Sequence, residues 1–191
     1  ISMDPGRNLI RLSIKKSGDY TKTNIPLLKK NDKAIIMGPY GRFGHRYLSH
    51  DKDMLWIAGG IGITPFLSFA KQESMFPADK KIHLIWVIRN KDDAFHDAEL
   101  HKESLKNKNF NYVHWFSDEK GRITASDISE MIGGKEELRN RVIFMCGPPA
   151  MMYSLCKGFH LDGASYRNII FEDFNMLEKK KKKHSLHILI F

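Results

Sequence analysis

Three glycines within the segment Gly59-Gly60-Ile61-Gly62-Ile63-Thr64-Pro65 follow the apolar run Met54 to Ala58 and lead straight into Phe66, Leu67, Phe69 and Ala70, spaced as on one face of a helix. A strand that ends in glycines and turns into a helix leaves backbone N–H groups unpaired at the positive end of the helix dipole. That is the chemistry of an anion cradle suited to a diphosphate. Thr64 reads as the helix cap and Pro65 as its first residue, with φ already set. Pro65 also takes the place where a Gly-x-Gly-x-x-Gly fingerprint would need its last glycine, so that fingerprint does not apply. A second turn, Cys146-Gly147-Pro148-Pro149, follows the run Val142 to Cys146 and precedes Met151 and Met152. Two glycine-bearing turns at the carboxyl ends of strands that flank one crevice face one ligand. The plainer reading makes both turns packing features and Cys146 a small buried hydrophobe.

The elements that must position these turns follow from the hydrophobic pattern. Five short apolar runs, at 54–58, 82–88, 110–116, 142–146 and 169–174, alternate with four helical stretches. The helices open at Thr64-Pro65, near Asp97, at the capping box Thr124 to Asp127, and after Pro148-Pro149. This βαβ rhythm predicts an α/β fold with a five-stranded, doubly wound parallel sheet. Ahead of it, Ile10, Leu12 and Ile14 alternate with Arg11, Ser13 and Lys15 as in a half-buried antiparallel strand, and the short run 34–37 stops at Gly38-Pro39.

With 191 residues, 42% of them apolar and 28% charged, the chain is long enough for a real core and too rich in aromatics to be disordered, collagen-like or stapled by disulfides. No run approaches the ~18 apolar residues of a membrane-spanning helix. Its two cysteines suit a reducing compartment, the cytoplasm, and make neither a zinc site nor a disulfide framework, so no metal is expected. The net charge of +9 does not mark a nucleic-acid partner, because the five lysines at 179–183 supply more than half of it. Self-repelling lysines cannot bury a face, so 179–191 reads as a disordered tail.

The ordered set Gly38-Pro39-Tyr40-Gly41-x-Phe43, Gly59 to Pro65, Cys146 to Met152 and Phe171-Glu172-Asp173-Phe174 resembles the ferredoxin-NADP reductase superfamily, on its ferric reductase and NADPH oxidase branch, over residues 1–177. The resemblance implies part of an FAD-binding antiparallel β-barrel at 1–48 and an NAD(P)-binding α/β domain at 49–178. It implies that Gly59, Gly60, Gly62, Ile63, Thr64 and Pro65, with Gly147 and Pro148, hold a nicotinamide nucleotide. Thr64 and Cys146 then lie beside the nicotinamide, Glu172 near the transferred hydride and Phe174 near the flavin ring. The segment Lys15-Lys16-Ser17-Gly18-Asp19-Tyr20-Thr21 resembles the family's FAD diphosphate segment, which makes Lys15, Gly18, Tyr20 and Thr21 candidates for that cofactor. The family's flavin-stacking motif, Arg-x-aromatic-Ser/Thr, precedes the residues that match Ile1-Ser2.

The coenzyme stays open between NADPH and NADH. Arg89 and Lys91, at the end of the second parallel strand, suit a 2′-phosphate, whereas Asp92 and Asp93 beside them suit a ribose hydroxyl; Arg122 is a further candidate for the far end of the nucleotide. The implied reaction passes a hydride to FAD and then single electrons to an iron-containing acceptor: haem, an iron–sulfur protein or a ferric chelate. A membrane haem module is one such partner, at the cytoplasmic face of a membrane. A nucleotide-binding module without turnover is the alternative.

Overall fold

The computed structural model describes residues 2–4, 9–16, 18–36, 43–44, 51–71 and 79–172. The tail 179–191, Phe174, the Gly38 to Gly41 turn and the 48/49 domain boundary lie outside the described residues.

Strands β1 (Ser2–Asp4) and β2 (Leu9–Arg11) pair antiparallel, and a short helix α1 (Asp19–Asn24) follows. Strand β2 ends at Arg11, short of the alternating stretch that runs to Lys15, and Ile10, Leu12 and Ile14 are each 45–51% exposed, so their face is not packed into a core. Alternation reports which residues would share a face, while burial needs a second layer to lie on it.

The rest is a five-stranded parallel sheet. Its strands are β3 (Met54–Gly59), β4 (Ile82–Ile88), β5 (Phe110–Phe116), β6 (Val142–Cys146) and β7 (Ile169–Glu172), in the order β5-β4-β3-β6-β7. From β3 the chain winds outward through α2 (Ile63–Ala70) and α3 (Asp97–Lys106) to β5. It then returns past α4 (Ser117–Lys120), α5 (Ala125–Met131) and α6 (Lys135–Asn140) to β6 on the other side of β3, and α7 (Pro149–Leu161) leads to β7.

The central strands β4, β3 and β6 are covered on both faces, as their continuous apolar runs require, while the edge strands β5 and β7 are partly exposed. Met54, Trp56 and Ala58 of β3 pack on the side of α2 and α3, with Phe66, Leu67 and Leu100; Leu55 and Ile57 pack on the side of α5, α6 and α7, with Ile128, Leu138 and Phe159. Eight-residue α2 is below the ~12–15 residues that an isolated helix needs, so burial of Ile63, Phe66, Leu67 and Phe69 is what holds it.

Helix starts follow their local chemistry with one exception. The Thr124 side chain accepts from the Asp127 N–H at 3.2 Å and Asp127 Oδ2 accepts from the Thr124 N–H at 2.7 Å, the reciprocal box expected there. Thr64, however, does not cap α2. A 3-10 turn, Gly60–Gly62, runs directly into the helix, so Gly62 is the cap, Thr64 is buried in the first turn, and Pro65 is the third helical residue. Pro65 still lacks only an N–H that the first turn would leave unpaired.

Candidate functional site

The winding reverses between β3 and β6, and in open α/β sheets the crevice outside the carboxyl ends at that point is where ligands bind. The two glycine turns end these two strands. They interlock: Gly147 lies against the Gly59 backbone, and a side chain on Gly62 would collide with the Cys146 carbonyl. Gly62 thus has a packing reason of its own, independent of any ligand. Gly60 differs, with φ of +53° and no atom within 4 Å of where a Cβ would stand. Its lack of a side chain serves the backbone conformation and leaves the crevice side clear.

The turn is fastened from two directions. Ile63 N–H donates to the Gly60 carbonyl within the turn, and the Trp86 indole Nε1–H, from β4, donates to the same oxygen at 2.9 Å. No side chain caps α2, so no side chain competes with an anion at its start.

Around this turn the structure brings together most, not all, of the expected residues. Cys146 and Glu172 are register partners on β6 and β7, at the carboxyl edge of the sheet. Cys146, Ile63 and Thr64 are buried, with 0%, 0% and 3% of their surface exposed. Cys146 and Ile63 are part of the core on the α2 and α3 side of the sheet rather than open surface. Pro148 is exposed, and Pro65, Gly147 and Glu172 are half-buried.

Arg89 and Arg122 lie on the same rim, after β4 and near the end of β5. The Arg89 carbonyl accepts from Asp118 N–H at 3.0 Å, which ties the two strand ends together, and the Gly121 carbonyl accepts from the Trp115 indole at 2.9 Å, which holds the loop before Arg122 against β5. Both guanidinium groups are exposed, and among the described residues neither forms an ion pair. The segment 15–21 stands apart in chemistry. Lys15, Gly18 and Tyr20 are exposed, while the Thr21 hydroxyl is engaged with the Gly18 backbone, both bonds at 3.1 Å.

Two features have no sequence signal. Trp86 is one: it reaches Gly60 only because β3 and β4 pair with Ala58 opposite it, a small residue that leaves room for the indole. The other is the cluster around Glu99, which accepts from Arg11 at 2.7 Å, from Lys71 and from His96 Nδ1 at 2.8 Å, while Ser13 meets His96 Nε2 at 3.1 Å. It clasps the β2 segment to α2 and α3. Burial alone would raise the Glu99 carboxyl, but the three donors outweigh it and hold it at about 2. Burial also pushes His96 below its ordinary value, so the neutral ring donates from Nδ1 to Glu99 and accepts the Ser13 hydroxyl at Nε2.

A doubly wound sheet with a glycine turn and an uncapped helix at its switch point defines a dinucleotide-binding domain. The oxidoreductase NAD-binding domain family matches residues 56–157, more than half of the chain, and the chain belongs to that family. It is 28% identical over 188 residues to flavohemoprotein A of Dictyostelium discoideum, covering 93% of this chain and 46% of that protein. It is 29% identical over 157 residues to a component of the Na(+)-translocating NADH-quinone reductase of Methylococcus capsulatus, covering 77% of this chain and 38% of that one. A flavohemoglobin from Malassezia yamatoensis, solved with bound FAD and heme, shares the fold with a TM-score of 0.65 at 22% identity, over 84% of this chain and 42% of that chain. The chain thus spans less than half the length of these relatives. Among the described residues no helix is long and apolar enough to cross a membrane.

Proposed function

We propose that this chain is the nicotinamide-nucleotide half of a flavin-dependent reductase of the ferric reductase type, which draws a hydride from NADPH or NADH and delivers single electrons to an iron-containing acceptor. The observation that carries the reading is the open, positive-φ Gly60 beside the uncapped start of α2, at the point where the sheet reverses. Backbone N–H groups of the turn meet the diphosphate. Glu172, and Thr64 and Cys146 once uncovered, border the nicotinamide and exclude water from it, while Arg89 and Arg122 meet the adenosine end. Exposed Arg89 and Arg122, neither of which forms an ion pair among the described residues, favour a 2′-phosphate there. Exposed Lys15 and the clear space around Gly18 fit the diphosphate of FAD. When bound, the nicotinamide supplies the hydride and the flavin converts that pair of electrons into single ones.

In this reading residues 1–48 belong to the flavin domain, 49–178 form the nucleotide domain, and Phe174 serves the flavin ring. The similarity to a flavohemoprotein and to a quinone reductase component supports an electron-delivering role. The acceptor proposed for this chain is haem, an iron–sulfur protein or a ferric chelate, with a membrane haem module as one form. A second reading, nucleotide binding without turnover, draws on the uncovered face of Ile10, Leu12 and Ile14. Titration of the chain with NADPH and NADH, with and without FAD, tests both. Saturable nucleotide binding with flavin absorbance that bleaches on adding NADPH supports the reductase; binding without retained flavin supports the second reading; no nucleotide binding overturns both.

A further inference from the structure

We infer that Trp86 is a positioning residue for the nucleotide's diphosphate: its indole N–H holds the Gly60–Ile61 peptide in the orientation that the ligand meets. The inference rests on the nucleotide-binding reading of the crevice. Trp86 is fully buried on β4, and its Nε1 lies 2.9 Å from the Gly60 oxygen. That oxygen also accepts from Ile63 N–H, so both of its lone pairs are used. A trans peptide is planar, with its N–H opposed to its C=O, so an oxygen held toward Trp86 and Ile63 leaves the Ile61 N–H pointing away from both. Gly60 sits at φ of +53° with nothing near its Cβ direction, a conformation that glycine adopts as freely as others. Gly60 itself does not select this peptide orientation; the Ile63 N–H within the turn and the Trp86 donor from outside it hold it together. The indole in turn is fixed. It makes an edge contact with Phe95 at 5.6 Å and a tilted one with His114 at 5.5 Å between ring centres. Its register partner Ala58 leaves the space through which it reaches the turn.

Trp86→Phe keeps an aromatic ring in the core while it removes the donor and part of the ring's bulk, so affinity and melting temperature are read separately. ADP-ribose, which carries the diphosphate without the redox ring, is the probe. Calorimetric titration of the full chain is expected to show affinity for ADP-ribose lower by about three- to tenfold in Trp86→Phe, the consequence of one lost hydrogen bond. A purely structural role predicts a lower melting temperature with unchanged affinity. In the wild-type chain, the indole N–H resonance of Trp86, assigned with single Trp→Phe variants, is expected to shift when ADP-ribose binds, and this measurement stands even if Trp86→Phe folds poorly. Equal affinity in the two proteins, or an indole resonance that ADP-ribose leaves unmoved, overturns the positioning role while the crevice reading survives. A wild-type chain that does not bind ADP-ribose overturns the crevice reading and the inference with it.

Discussion

Gly62 packs so tightly on Cys146 that a methyl group added to it would stand 2.1 Å from the Cys146 carbonyl oxygen and 2.9 Å from the Gly147 nitrogen. The atoms it would meet are backbone, which cannot swing aside, so the floor of the crevice is closed by the joint between β3 and β6. Gly60, two residues earlier, meets nothing. The two glycines should therefore fail differently. Gly62→Ala is expected to cost the fold about 1–3 kcal/mol or more, read as a lower melting temperature. Gly60→Ala is expected to cost about 1 kcal/mol from its backbone angle, with a larger proportional loss of nucleotide affinity. Melting curves and nucleotide titrations on both variants check this; a Gly62→Ala protein as stable as wild type would refute the packing.

Arg89 is exposed and has no carboxylate partner among the described residues. If it meets a 2′-phosphate, Arg89→Ala should weaken NADPH by about tenfold or more and leave NADH nearly unchanged, since a charge-assisted bond is lost in one case only. Parallel titrations decide it, and equal losses for the two coenzymes would remove Arg89 from phosphate recognition.

Glu99 holds Arg11, Lys71 and His96 at once. Glu99→Gln keeps the shape and deletes the charge, so residues 9–16 should exchange their amide hydrogens faster while nucleotide affinity stays as it was. Unchanged exchange in 9–16 would show that the clasp does not hold that segment.

Acid should lower the stability of this protein over two ranges of pH. Burial, aided at His83 by the Arg141 and Lys81 charges and opposed by Asp53 and Glu137, keeps His83 below the ordinary 6.5; burial does the same to His96 against Glu99 and to His114 against Asp97. Below about 6.5 the unfolded chain then binds protons that the folded one refuses. Stability is complete above that value and falls as pH drops beneath it. His83 has a specific stake, because its Nδ1 sits 2.9 Å from Arg141 Nη1 and can accept only while unprotonated. Glu99, held at about 2 against an ordinary 4.5, adds a second loss as pH falls from about 4.5 toward 2. Thermal unfolding across pH checks both ranges; a melting temperature flat from about pH 7 to about pH 5 would contradict the first.

The five parallel strands and the helices at 97–106, 125–131 and 149–161 were legible in the sequence, because a strand buried on both faces has to be continuously apolar and a capping box such as Thr124 to Asp127 is a local bargain between neighbours. The short α4 and α6 carried no such signal: each has at most one buried side chain, so no apolar period marks them. The glycine turns and rim arginines were legible for a similar reason, since residue type and strand end suffice to suggest an anion site. What each glycine is for was not. Gly62 and Gly60 look alike in the sequence, and only the pairing of β3 with β6 shows that one meets a backbone carbonyl and the other meets open space. Trp86 and Glu99 were silent for the same cause. Their partners, Gly60 and Arg11, are 26 and 88 residues away along the chain, and distances of that kind are set by register and packing. The sequence determined which segments could be strands, helices and phosphate-facing turns, because those depend on neighbours. Which residues fix the turn and clasp the β2 segment was decided by tertiary structure, because only folding brings distant donors and acceptors within reach.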